Sequence, residues 1–125
     1  MGLKLPFAGV SKAIERVTVT AGGAITIGRC VTYGSVQASS AGVAGWGVAT
    51  SDIASGKNGT ITTDGTEIAE AGAAISSAGL PLVIDATGRL IPAATTGHFI
   101  FARSITTAAA AGEYFEVQIT REGKF

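Results

Sequence analysis

Residues 113–121 read Glu-Tyr-Phe-Glu-Val-Gln-Ile-Thr-Arg, and this stretch decides the fold class. Phe115, Val117 and Ile119 alternate with polar side chains, so on an extended strand the three apolar groups share one face. The pattern predicts a strand that packs its apolar side onto a core and turns its polar side outward.

Shorter stretches of the same kind occupy the rest of the chain. Alternating or β-branched patterns predict further strands over 14–20, 25–33, 46–50, 59–63, 67–70, 81–85, 89–91 and 99–105. Asp64-Gly65 predicts a hairpin turn between two of them. Helix signals are weak: one turn over 106–111, and a short helix or loop over 69–78. Many short strands with frequent turns predict an all-β fold, a small barrel or a sandwich.

The chain also repeats itself. Residues 21–26 (Ala-Gly-Gly-Ala-Ile-Thr) match 71–76 (Ala-Gly-Ala-Ala-Ile-Ser), and Val48-Ala49-Thr50-Ser51 matches Phe101-Ala102-Arg103-Ser104. A small-residue loop follows each second match and ends in glycine, at Gly56 and Gly112. Two copies are too few for a solenoid. They predict two similar β-units that close on each other.

Residues 1–13 differ from the rest. Leu3, Leu5 and Phe7 are spaced apolar residues, but Pro6 and Gly9 oppose a regular element. We expect an extended N-terminal arm over 1–13, whose Leu3, Leu5 and Phe7 contact a partner, followed by a single β-domain over 14–125.

Charge limits the partners. Only 14% of the residues are charged, with nine basic and nine acidic side chains. This balance argues against nucleic acid, which attracts a basic surface, and against an electrostatic membrane anchor. Weak charge also favours association, so we expect other subunits to cover part of the surface. Residues 1–10 lack the long apolar stretch of a secretory signal, which predicts synthesis in a cytoplasm.

Residues capable of chemistry are few and scattered. Cys30 lies in an alternating stretch and is predicted to be a buried, inert thiol, while His98 is predicted to lie on a surface turn. One cysteine and one histidine make no ordinary metal site. Glu67 and Glu70 would face opposite sides of a strand, which predicts solvated edge positions. We expect no catalytic residues, no metal and no cofactor.

Arginines beside apolar strands suggest a different role. Arg29, Arg89 and Arg103 occupy such positions, where arginine pairs with a carboxylate or reaches an interface. The candidates for an interface are Trp46, Arg29 and Arg89.

The order of several motifs resembles a known family. Gly28-Arg29-Cys30-Val31 and Trp46-Gly47-Val48-Ala49 are followed by the hairpin-like stretch 78–90, by Phe101-Ala102-Arg103-Ser104 and by the final alternating strand. Over residues 17–120 this order resembles the capsid cement (decoration) proteins of tailed phages. One departure is Ile100, which replaces the glycine of a second Gly-x-Ala motif.

The resemblance implies a function. A cement protein is expected to be a homo-oligomer, usually a trimer, that clamps major capsid protein subunits on the outside of the head. Two alternatives remain. One is another virion part, such as a tail-tube, head-completion or head-fibre base protein. The other is a carbohydrate- or ligand-binding β-module, which would need exposed aromatics with polar partners, whereas the aromatics here are predicted to be core-directed or isolated.

Overall fold

A computed structural model describes residues 13–125. Its strands are β1 (Ala13–Thr20), β2 (Cys30–Val31), β3 (Gly47–Ala49), β4 (Asn58–Glu70), β5 (Pro81–Ile84), β6 (Leu90–Pro92), β7 (Phe99–Ser104) and β8 (Tyr114–Lys124). Between residues 13 and 125 there is no helix, so the helical turn predicted over 106–111 is wrong. Consequently, this part of the chain holds no helix long and apolar enough to cross a membrane.

All eight strands belong to one antiparallel sheet. The strand order is β2-β3-β4-β8-β7-β5-β6, and β1 pairs with β4. The two ends of this path approach each other: Cys30 N donates to the carbonyl of Gly88, just before β6, at 2.8 Å. The sheet is therefore a nearly closed barrel, which confirms the predicted all-β class.

The barrel consists of two similar units. Equivalent hydrogen-bonded pairs are Ala21 with Gly56 and Ile25 with Ile53 in the first unit, and Ala71 with Gly112 and Ile75 with Ala108 in the second. The equivalent glycines Gly28 and Gly79 share a left-handed backbone, with φ of 80° and 81°. The predicted construction from two β-units is confirmed.

One alignment between the units is wrong by two residues. In the first unit Cys30 pairs with Val48, and in the second Pro81 pairs with Arg103. Val48 is therefore equivalent to Arg103, not to Phe101 as the sequence match predicts. Small side chains recur in both strands, so residue similarity is a poor guide there, and the hydrogen-bond ladder sets the register.

The hairpin predicted at Asp64-Gly65 is also wrong, because β4 runs without interruption from Asn58 to Glu70. Gly65 adopts a φ of 93°, and the register with β1 shifts beside it. Glycine here allows an irregularity in a continuing strand instead of a reversal. The first half of β4 pairs with β1 and β3 and the second half pairs with β8, so one strand serves both units.

The core confirms the phase of the last strand. Phe115, Val117 and Ile119 are buried in the larger of two apolar clusters, together with Phe101 and Leu82. The smaller cluster comprises Val19, Ala21, Ile25, Val31, Ala49, Ile53 and Ile61. The alternation of apolar residues therefore predicted correctly which face of β8 packs on the core.

The strand predicted over 25–33 is much shorter, since only Cys30 and Val31 are in β2. The chain turns at Gly28, so Ile27 and Tyr33 are exposed and do not share the buried face of Ile25 and Val31. This correction places two apolar side chains on the surface.

Candidate binding surfaces

The buried reactive groups are shielded or paired. Cys30 is fully buried, as predicted, and burial together with the negative charge of Asp85 raises the pKa of its thiol far above the ordinary value. The thiol therefore stays protonated and unreactive at neutral pH. Residues 13–125 hold no group of three or more His, Cys, Asp or Glu side chains placed to bind a metal ion. His98 is half-buried, directly after the turn at residues 95–97.

Glu67 and Glu70 are buried, so the prediction of solvated edge positions is wrong. Glu67 accepts hydrogen bonds from the Thr62 hydroxyl at 2.7 Å and from the Ile68 amide at 3.0 Å, and Arg16 lies 3.5 Å away. A buried carboxylate is tolerated when such donors replace water. The sequence pattern of β4 could not reveal the contact with Arg16, because Arg16 comes from another strand.

Arg29 and Arg89 converge on Glu70. Arg29 Nε donates to Glu70 Oε1 at 2.8 Å, and Arg89 Nη1 lies 3.5 Å from Glu70 Oε2. Arg29 Nη1 also donates to the carbonyl of Thr87 at 2.9 Å. The group lies beside Gly88, where the barrel closes, and it links Glu70 of β4 to residues on both sides of the closure. Whether Arg29 and Arg89 also meet a partner stays a prediction.

Arg103 is paired on the surface. Its Nε and Nη2 atoms donate to the two carboxylate oxygens of Glu122 at 2.7 and 2.9 Å. The hydrogen bond from Arg103 lowers the pKa of Glu122 below its usual value. All three arginines singled out in the sequence therefore have a carboxylate partner.

An aromatic surface lies elsewhere on the barrel. The Tyr33 and Trp46 rings stack with centroids 5.8 Å apart and planes inclined by 19°. The Lys124 ammonium lies 5.6 Å from the centroid of Phe99. Tyr33, Phe99 and Arg121 line a shared cavity of about 190 Å³. We call Tyr33, Trp46, Phe99, Arg121 and Lys124 the aromatic face.

The aromatic face corrects one expectation from the sequence. Tyr33 is 61% exposed, and Trp46 supports it while its other side packs on the smaller core cluster. The aromatics are therefore not all core-directed or isolated. Tyr33 was missed because alternation assigned it to a buried strand face.

Backbone strain lies in the same region. Among the described residues, Ser35 and Arg121 are the non-glycine residues with positive φ, at 62° and 46°. Such conformations persist where surrounding contacts enforce them, and they cluster at functional sites. Arg121 Nη1 donates to the carbonyls of Trp46, at 2.9 Å, and Thr63. These bonds fix the guanidinium against the loop that carries the aromatic pair.

A second depression, which we call the edge groove, is mainly apolar. Ile27, Ile68 and Tyr114 form its exposed apolar lining, and its volume is about 310 Å³. Gly28, Ala49, Thr50 and Glu67 complete the lining. Four separate parts of the chain build this groove, so no local sequence pattern could have indicated it. The predicted contact residues Leu3, Leu5 and Phe7 lie outside the described residues.

Comparison with known proteins identifies the family. The family model described as phage cement protein matches residues 10–119. The chain belongs to the phage cement protein family. The resemblance noted in the sequence is thereby confirmed, and the protein is a structural component of a phage virion.

A solved structure shows the same fold. This cement protein is similar to the head fiber gp8.5 N base of bacteriophage phi29, with a TM-score of 0.68 and 18% sequence identity. The similarity covers 89% of the cement protein and 98% of the phi29 chain. No curated protein sequence matches the chain.

Proposed function

We propose that this cement protein binds the outer surface of the phage head, contacts the major capsid protein and stabilises the assembled shell. The observation that carries the location of the contact is the aromatic face. Trp, Tyr and Arg are the residues that dominate binding energy at protein interfaces. Here Tyr33, Trp46 and Arg121 lie together on the surface of a protein whose family binds capsids.

The aromatic face suits a tight contact because it is already ordered. Trp46 holds the Tyr33 ring from behind, and hydrogen bonds hold Arg121. Fixed side chains lose little conformational freedom on binding, so more of the contact energy remains as affinity. A protein that binds only the assembled shell stabilises that shell by mass action.

Self-association belongs to the same proposal. The low charge and the exposed apolar side chains favour a homo-oligomer, and the family resemblance suggests a trimer. Residues 1–13 act as an arm whose Leu3, Leu5 and Phe7 contact the capsid or a neighbouring subunit, and residues 14–125 form the β-domain. Synthesis takes place in the host cytoplasm, before the protein joins the capsid surface.

The role is structural and not enzymatic. The carboxylates of Glu67 and Glu70 are engaged by protein donors, and the Cys30 thiol is held protonated by burial. The proposed binding through the aromatic face requires no chemical step.

A substitution tests the contact surface. Tyr33→Ala should weaken binding to undecorated heads by about thirtyfold or more, since interface hot spots contribute about 2 kcal/mol or more and each 1.4 kcal/mol is about tenfold. Ile105→Ala is the control, because Ile105 is an exposed apolar residue (39%) outside both the aromatic face and the edge groove. Binding is measured by sedimenting heads with increasing amounts of protein. Equal affinity of Tyr33→Ala and wild type would show that the aromatic face is not the head contact.

A second candidate function is glycan binding, which the stacked Tyr33–Trp46 pair favours. Exposed aromatic rings with polar neighbours are what a carbohydrate-binding module requires, and Arg121 and Lys124 are those neighbours. Titration of the protein with a panel of oligosaccharides, followed by Trp46 fluorescence, separates the two functions. Saturable binding that Tyr33→Ala abolishes, with head binding unchanged, would favour the glycan.

A further inference from the structure

The edge groove is an apolar surface without an assigned partner. Ile27 and Ile68 are each 42% exposed and Tyr114 is 54% exposed, and all three line the same cavity. The one carboxylate in the lining, Glu67, is already bonded to Thr62 and Ile68 inside the barrel. The groove therefore offers contact area without a free charge, which suits an apolar segment.

Such a segment begins beside the groove. The described part of β1 starts at Ala13, which pairs with Gly65, two residues before Glu67. Residues 1–12 precede it and contain Leu3, Leu5 and Phe7 at alternate positions. Alternate residues of an extended chain share one face. Twelve extended residues reach about 40 Å, which is enough to cross to an adjacent subunit.

Two backbone donors of β4 beyond Gly65 are already engaged within the described chain. Beyond Gly65, the Ile68 amide donates to the Glu67 carboxylate at 3.0 Å, and the Glu70 amide donates to the carbonyl of Gly28 at 3.0 Å. These donors are unavailable to a lengthened β1.

We propose that the edge groove receives residues 1–12 of a second copy of this chain, with Leu3, Leu5 and Phe7 packed against Ile27, Ile68 and Tyr114. The proposal deepens the proposed self-association by naming the surface that the arm contacts. Each copy has one arm and one groove, so the contact is head-to-tail and a small number of copies can close it into a ring. A closed ring leaves every groove filled.

Disulfide trapping between two differently tagged chains tests the exchange. One chain carries Leu5→Cys and the other carries Ile68→Cys, with Leu3→Cys and Phe7→Cys as alternatives for the first chain. The natural Cys30 is fully buried, and wild-type chains mixed in the same way show whether it forms any disulfide. We expect a mixed disulfide that forms about tenfold faster than with Ile105→Cys, because docking raises the local concentration of the thiol. Ile105 is the matched control, since it is a similarly exposed isoleucine (39%) outside the groove.

Other outcomes overturn the proposal. A chain carrying both Leu5→Cys and Ile68→Cys that closes only within itself would show that the arm occupies its own groove. Equal rates at residues 68 and 105 would show that the groove receives no arm.

A charge substitution gives an independent readout. Ile68→Glu and deletion of residues 1–12 should each lower the oligomer fraction in sedimentation, and the two together should do no more than either alone. Ile105→Glu should leave the oligomer intact. An Ile68→Glu protein that associates like wild type would contradict the exchange. Head binding is measured separately, so a protein that coats heads as single copies would keep the proposed head contact and contradict the self-association and the exchange.

Discussion

At the scale of single residues, the alternation of the last strand carries the clearest energetic consequence. Val117 is completely buried in the larger core cluster. Val117→Asp would place a carboxylate there without a partner, and we expect a loss of about 3–5 kcal/mol from a total unfolding free energy of about 5–15 kcal/mol. Chemical denaturation followed by Trp46 fluorescence measures the loss.

The adjacent residue provides the control for this substitution. Gln118 is exposed on the opposite face of β8, so Gln118→Asp should change stability by no more than about 0.5 kcal/mol. If Val117→Asp and Gln118→Asp unfold at the same denaturant concentration, the assignment of faces in β8 is wrong.

At the scale of elements, β4 shows where local sequence rules fail. Asp64-Gly65 is a strong turn signal in isolation, but β1, β3 and β8 all pair with β4, and those ladders keep it extended. The left-handed backbone is still used, at a φ of 93° in Gly65. The sequence therefore indicated correctly that Gly65 takes a left-handed backbone, but the chain does not reverse there.

Gly65→Ala tests the role of this irregularity. A side chain at a φ of 93° is strained, and we expect a loss of about 1–3 kcal/mol in unfolding free energy. Gly23→Ala is the control, because a Cβ there would meet no atom within 4 Å and its φ is not positive; it should be neutral or slightly stabilising. Equal stability of the two variants would mean that β4 does not depend on glycine at position 65.

At the scale of the whole molecule, regular sequence patterns predicted the strands and the two similar units. Period-two alternation identified most strands, and the repeated Ala-Gly stretches at 21–26 and 71–76 identified the two units. The surfaces could not be predicted in the same way. The edge groove joins residues 27–28, 49–50, 67–68 and 114, and the pairing of Tyr33 with Trp46 depends on a turn that alternation does not show. The groove arises only when the two units close on each other, and the aromatic pair arises only when the loop between β2 and β3 folds back on itself.

In the proposed function, this small barrel binds the head through its aromatic face, where the Tyr33 and Trp46 rings are already stacked. The central claim is that this contact is made with the outside of the head.

Electron cryomicroscopy of undecorated heads incubated with the protein tests that claim most directly. We expect added density on the outer surface, over junctions between major capsid protein subunits, with the aromatic face turned toward the shell. Density confined to the neck or tail, or heads that remain bare at saturating protein, would contradict it.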